Sequence, residues 1–260
     1  MSDEIQYPDH FITRLHTVWG EGFLSPGGPE EVGEIVRGID LSGKVVLDIG
    51  FGTGGPAVTL AKDHQAGKVI GIDVEAQLRN HANQLVERAG LADRIELKIV
   101  KPGPFSFAAE TFDVVFSKDS MIHIEDKGAL FQEVMRVLKP GGFFVASDWL
   151  AGEGDDAQVA LDKYREVSHL HFTPATATEM AGVLAKAGFL DIETRDRNEW
   201  YATVCAYECE QIEGPLKQQL IDAVGEEIYT NWLAVRRGLL QAVSGGGLRP
   251  THLRGVKPAN

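Results

Sequence analysis

The chain has 260 residues, enough for one generous α/β domain with an appendage or, at a stretch, two small domains. Apolar residues make up 43% and charged residues 24%, a globular composition that argues against intrinsic disorder. The net charge of −13 repels phosphate backbones, so no nucleic-acid partner is expected. The best basic cluster, Arg249, His252, Arg254 and Lys257, is short and reads as a strand with a solvated face. The opening MSDEIQYPDH is acidic and polar with no apolar signal core, and no apolar run approaches the ~20 residues a membrane span needs. A cytoplasmic location and no membrane partner are the expectation. Cys205 and Cys209 stand one helical turn apart, so they cannot staple a fold. They read as small apolar packing in a reducing compartment.

Residues 1–40 precede the first strong strand and are expected to form a lid and helices. From residue 44 to about 147 short apolar runs alternate with amphipathic stretches. VVLDIG (45–50) predicts a buried strand running into a glycine loop, and residues 56–63 a helix. VIGIDV (69–74) is a second strand, followed by a helix over 76–89 with Leu78, Ala82 and Leu85 on one face. RIELKIV is a third strand, FDVVFS (112–117) a fourth and GFFVASDW (142–149) a fifth. Between the last two lies a helix over 129–138, closed by a turn at Lys139-Pro140-Gly141-Gly142. Strands alternating with helices mean a parallel sheet with right-handed crossovers. Beyond Trp149 the pattern loosens: a polar connector, a helix over 155–170, another over 176–187 ended by Gly188, and a strand near 190–195. Residues 199–242 read as almost all helical with a break at Pro215, and a last strand covers 248–257.

The strongest local signal is Asp48-Ile49-Gly50-Phe51-Gly52-Thr53-Gly54-Gly55 at the end of the first strand. Glycines there let the backbone pass close to a ligand and turn into the next helix. Asp73, closing the second strand, can accept both hydroxyls of a ribose. Dinucleotides and S-adenosylmethionine share this arrangement. The dinucleotide fingerprint asks for G-x-G-x-x-G and an open helix N-terminus for a pyrophosphate. The acid Asp48, two residues before the first glycine, opposes a pyrophosphate but suits the ammonium of a methionine moiety. Together with the LKPGG turn, this favours S-adenosyl-L-methionine.

At this point the chain resembles the class I S-adenosylmethionine-dependent methyltransferases. It is most similar to the phosphoethanolamine N-methyltransferases and the sarcosine and dimethylglycine methylating enzymes. W-G-E-G-F-L-S-P-G-G (19–28), DIGFGTGG, GIDV, S-K-D-S-M-I-H-I (117–124) and LKPGG carry the resemblance. It implies a Rossmann-like α/β fold, a seven-stranded mostly parallel sheet with an N-terminal helical lid and a C-terminal helical insertion. The whole would be one domain: lid and helices over 1–40, cofactor core over 41–150, substrate-covering helices and last strands over 151–260. It implies Ser25, Asp48, Gly50, Gly52, Gly54, Asp73, Val74, Lys101 and Lys118 as cofactor residues. Lys101 falls where the relatives carry an acid on the adenine amino group, so adenine recognition would pass to backbone atoms nearby.

The same resemblance puts Gln6 and Tyr7 on a lid pair whose tyrosine meets the histidine of a D-x-x-x-H motif, here Asp119 and His123. These follow the fourth strand, at the edge of the sheet where ligands of such folds lie. A phenol on an imidazole can latch a lid, and the imidazole can take up a proton as an amine is methylated. Asp119 can hold an ammonium or orient the nucleophile; His123 alone would read as a structural histidine. Trp149 is either a wall for a cationic amine or a core residue. The stretch His169-Leu170-His171-Phe172 departs from the phosphobase enzymes: Phe172 lies on a tyrosine and Leu170 on an arginine. A leucine cannot neutralise a phosphate, so phosphoethanolamine is expected to be a poor acceptor unless Arg249 or Lys257 compensates. His16, His123, His169 and His171 could gather on the substrate side, but no zinc-like spacing is present and no metal is expected. The expected function is methylation of a small amine or amino acid. Methylation at oxygen, sulfur or carbon, cyclisation, and a silent ligand-binding module remain the rivals.

Overall fold

The computed structural model describes residues 8–168 and 174–259. Seven strands form one sheet: β1 (Val45–Ile49), β2 (Lys68–Asp73), β3 (Ile95–Ile99), β4 (Phe112–Lys118), β5 (Leu138–Ala151), β6 (Leu190–Asp196) and β7 (Leu248–Val256). Their order is β3-β2-β1-β4-β5-β7-β6, with β1 to β5 parallel and β7 antiparallel to both its neighbours. The expected seven-stranded, mostly parallel sheet is what forms. Val46 sits beside Val69 and Val114, so the continuous apolar runs read from the sequence are buried on both faces of the centre.

One face is covered by α2 (Gly28–Ile35), α3 (Gly55–Lys62) and α4 (Leu78–Arg88), which pack Val32, Leu60 and Val86 onto Val46, Val69 and Phe116. The other is covered by α5 (Lys127–Val137) and α7 (Ala177–Ala187), with Phe131, Val134 and Leu184 on Leu47 and Ile49. Each such side chain, fully buried, contributes about 1.5–3 kcal/mol. Caps set the ends. Asp126 accepts from the Ala129 amide at the start of α5, and Thr176 and Glu179 form a reciprocal capping box on α7.

A separate helical layer holds α1 (Asp9–Trp19), α6 (Asp155–Ser168), α8 (Asn198–Glu213), α9 (Lys217–Val224) and α10 (Glu226–Ser244). Leu161, Tyr201, Cys205, Leu239 and Val243 form one of its cores; Leu15, Ile212, Leu220, Tyr229 and Trp232 form the other. Cys205 and Cys209 are both buried and unpaired on α8, as small apolar packing requires.

Three expectations need correction. The helix does stop at the LKPGG segment, at Val137, but no separate turn follows: β5 already begins at Leu138, and the register jumps between Phe112–Leu138 and Val114–Phe143, so the turn is an irregularity inside the strand. The long C-terminal helix breaks at Gly225 as well as near Pro215, because Gly225 adopts φ 84°. Third, β7 is not a strand with a solvated basic face, for it lies between β5 and β6. Its cations are absorbed by partners. His252, 7% exposed, hydrogen-bonds Glu31 Oε1 at 2.6 Å, and its Nδ1 meets Arg195 Nη2 at 2.8 Å. Arg254 stacks over Phe143 at 5.0 Å, and Lys257 Nζ donates to the Leu138 carbonyl at 2.7 Å.

Candidate active site

The carboxyl ends of β1, β2, β4 and β5 open into a cavity of about 1440 Å³. Its glycine-loop side is built mostly from backbone. Gly50 adopts φ 80°, and a Cβ there would fall 2.4 Å from the Ser120 side chain, so only glycine fits where the chain leaves β1. Asp73 ties that loop to β2: Oδ2 accepts from the Gly52 amide and Oδ1 from the Glu75 amide, each at 2.9 Å. Burial lifts the Asp73 carboxyl above its ordinary range, against the pull of the Glu75, Gly52 and Val74 amides. Val74 is 51% exposed beside it, and Lys101 is exposed on the loop that closes this end, with Val100 and Pro102 also lining the cavity. Gly52 lines it as well, while Gly54 caps α3 with φ 91°.

Asp48 lies wholly buried in β1, and neither of its carboxylate oxygens has a hydrogen-bond partner among the described residues. Burial, then the charge of Asp73, pushes its pKa up to about 8. An orphaned buried carboxyl just before a glycine cradle fits a ligand that brings a cation.

At the end of β4, Lys118 has three partners: Ser25 Oγ at 2.6 Å, the Pro26 carbonyl at 2.8 Å and Asp119 Oδ2 at 2.7 Å. It therefore tethers the Ser-Pro-Gly-Gly loop to the sheet edge and has no donor left over. The other Asp119 oxygen accepts from Ser147 Oγ at 2.8 Å. Burial pushes the Asp119 carboxyl up, but Lys118, Ser25 and Ser147 outweigh it and hold the pKa below the usual range. Asp119 also takes φ 55°, a left-handed conformation costing about 1–3 kcal/mol that clusters at functional sites. Its charge is thus already compensated by Lys118.

His123 ends a single 3₁₀ turn (Met121–His123) on the cavity rim, largely open to water. Partial desolvation and then Lys127 hold its pKa below the histidine norm, with Glu75 opposing; solvent contact limits that effect. Trp149 lines the cavity with its ring edge-on to Tyr201 at 4.9 Å, so it is both wall and core. His16 bonds Thr53 Oγ1 at 3.0 Å and lies edge-on to His81. No group of three or more potential metal ligands occurs among the described residues. Gln6, Tyr7, His169, Leu170, His171 and Phe172 lie outside the described residues. Arg249 pairs with Asp196, and neither it nor Lys257 is among the described residues that line the cavity.

The far half of the cavity was missed by the motif reading. α1 contributes Phe11, Arg14 and Trp19, and α10 contributes Trp232 and Arg236. Arg236 is buried, donates to Tyr201 Oη at 3.0 Å, pairs with Glu208 and stacks over Trp19 at 5.2 Å. Trp19 Nε1 in turn donates to Glu208 Oε1 at 2.6 Å. The available signal was an arginine on the apolar face of each helix, at the spacing Phe11-Arg14-Leu15 and Trp232-Val235-Arg236-Leu239.

Sheet order, glycine loop and closing carboxylate together define a Rossmann-like nucleotide-binding fold. A family described as a methyltransferase domain matches residues 46–142. Phosphoethanolamine N-methyltransferase 1 of Triticum aestivum is 32% identical over 237 residues, 89% of this chain and 46% of that protein. The chain thus spans about half the length of the curated relatives it matches. Haemonchus contortus phosphoethanolamine N-methyltransferase 2 in complex with S-adenosyl-L-methionine superposes with a TM-score of 0.89 at 27% identity. The match covers 98% of this chain and 59% of that one. A Galdieria sulphuraria structure shares the fold over 98% of this chain and 99% of its own, with a TM-score of 0.82 at 19% identity. Among the described residues no helix is long and apolar enough to cross a membrane.

Proposed function

We propose that the chain transfers a methyl group from S-adenosyl-L-methionine to the nitrogen of a small amine or amino acid. The observation that carries this reading is the continuity of one cavity from the glycine loop and Asp73 to a wall of Trp19, Trp149 and Trp232. The donor supplies, when bound, an activated methyl on a sulfonium. Asp73 would hold its ribose hydroxyls, Asp48 the ammonium end, and the Gly50–Gly54 loop would let the backbone approach. Val74 and the backbone around Lys101 would flank the adenine, with Ser25 positioned by Lys118.

On the acceptor side an amine must be uncharged to attack. His123, with its pKa held below the histidine norm, is suited to take up the departing proton near neutral pH. Aromatic faces favour a cationic or partly charged amine by about 0.5–2 kcal/mol and exclude water. Tyr7 latching onto His123 would close the site, and the chain would act as one unit. The net charge of −13 supports a small-molecule rather than a nucleic-acid partner, and two unpaired thiols support a cytoplasmic setting. A second reading, methylation of oxygen, sulfur or carbon, draws support from the aromatic lining alone. Release of S-adenosylhomocysteine across a panel of amines, amino acids, thiols and phosphobases tests both. Turnover of thiols or phenols and of no amine would overturn the first.

A further inference from the structure

Charged side chains line both ends of the cavity. Toward the glycine loop the acids Asp73, Glu75 and Glu133 stand with Lys101 and with Lys118, which Asp119 compensates; toward α1 and α10 the charged side chains are Arg14 and Arg236. Arg236 is compensated by Glu208, the two side chains being 6% exposed each. Arg14 is not. Its guanidinium lies over the Phe11 ring at 4.3 Å and the Trp232 ring at 5.3 Å. Its Nε is buried without a hydrogen-bond partner, and no carboxylate among the described residues pairs with it. Burial alone holds its pKa down at about 10, where a facing anion would have raised it.

A half-buried guanidinium without an anion is destabilising, and sandwiching between two rings fixes its plane rather than neutralising it. Such a group, lining a cavity, is complementary to an anion that arrives from outside. With Arg236 neutralised, the wall offers one net positive charge. That matches a carboxylate, which a guanidinium meets through two parallel hydrogen bonds, and leaves a phosphate dianion half compensated.

We infer that Arg14 is the binding residue for a carboxylate on the methyl acceptor, so that the acceptor is a small amino acid rather than a simple amine. The inference rests on the N-methylation reading only for the amine; the carboxylate subsite is separable.

The test compares glycine, sarcosine and β-alanine with ethanolamine and phosphoethanolamine as acceptors of wild type, Arg14→Gln, Arg14→Lys and Arg14→Leu. Wild type should turn over at least one amino acid with kcat/KM about tenfold or more above both other compounds. In Arg14→Gln the KM for that amino acid should rise about 30-fold or more, with kcat within about threefold and donor affinity unchanged; Arg14→Lys should recover part of the loss. Arg14→Leu should raise the melting temperature of the free protein while abolishing amino-acid binding, since it removes an unpaired charge; a merely structural arginine would do the opposite. Calorimetry of the same amino acids with S-adenosylhomocysteine present reads the subsite without catalysis. Binding lost in Arg14→Gln supports it even if no amine is methylated, whereas methylation with an unchanged KM in Arg14→Gln overturns it. A wild-type preference for ethanolamine or phosphoethanolamine overturns it as well.

Discussion

The two halves of the cavity are made in opposite ways. The glycine-loop half is assembled from strand ends and backbone: Gly50, Gly52 and Asp73 lie within one short stretch of chain, and the Gly52 amide reaches the Asp73 carboxylate directly. The helical half is assembled from side chains far apart in sequence, such as Trp19 and Glu208, which meet at 2.6 Å, or Arg14 and Trp232. Backbone geometry is indifferent to most substitutions and suits a constant ligand. A side-chain wall drawn from α1, α6 and α10 can change one residue at a time, and so suits a variable ligand.

The difference can be broken from either side. The largest expected effect is Asp73→Ala, which frees the Gly52 amide and removes the proposed ribose contact; donor affinity measured by calorimetry should fall well beyond tenfold. Unchanged affinity would show that the carboxylate serves the fold alone. On the other side, Glu208→Ala leaves Arg236 buried without its anion and takes the partner from Trp19. It should destabilise by about 3–5 kcal/mol in denaturant titration. If donor affinity falls with it by more than about threefold, the two halves are not independent.

The proposed latch between Tyr7 and His123 offers a second way to sharpen the comparison. Tyr7→Phe should lower turnover with donor affinity changed by less than about threefold, and His123→Ala should do similar damage. The double variant should be little worse than either, because one shared interaction is lost. Additive rate losses would remove the latch. A lower melting temperature for His123→Ala with fully active Tyr7→Phe would make His123 structural.

The gentlest prediction concerns pH. Burial pushes Asp48 to about 8, and burial followed by the charge of Asp119 pushes Asp148 to about 7, with Lys127 opposing. Both stay protonated in the folded chain at pH values where the unfolded chain has lost the proton. Their contribution is therefore fully present below about pH 4 and is lost as pH rises through 7 and 8. The melting temperature should fall from pH 5 to pH 8.5. Asp148→Asn, which keeps an acceptor for the Ile122 amide, should give a shallower fall and a higher value than wild type at pH 8.5. Parallel curves would show that Asp148 is ionised throughout.

Much of this was legible in the residues themselves. Apolar runs alternating with helical spacing determine five parallel strands, since a strand buried on both faces has no other use for VVLDI or FDVVFS. The glycine loop and Asp73 were legible because a close backbone approach needs glycine wherever it occurs, and the following strand ends at a near-constant distance in sequence. Ser25 and Lys118 entered through resemblance as cofactor residues, but their contact with each other was not legible, since nothing in the spacing relates residues 93 apart. Other features waited for the tertiary structure. His252 and Lys257 look like a solvated basic face until β6 is laid beside β7 and Glu31 is brought within 2.6 Å of the imidazole. Arg14 and Arg236 look like ordinary charges on amphipathic helices. Whether such an arginine faces water, a carboxylate or an empty chamber depends on how α1, α8 and α10 pack. One-dimensional periodicity reports which side of a helix is apolar, while the charge that stands against that side comes from a segment tens or hundreds of residues away.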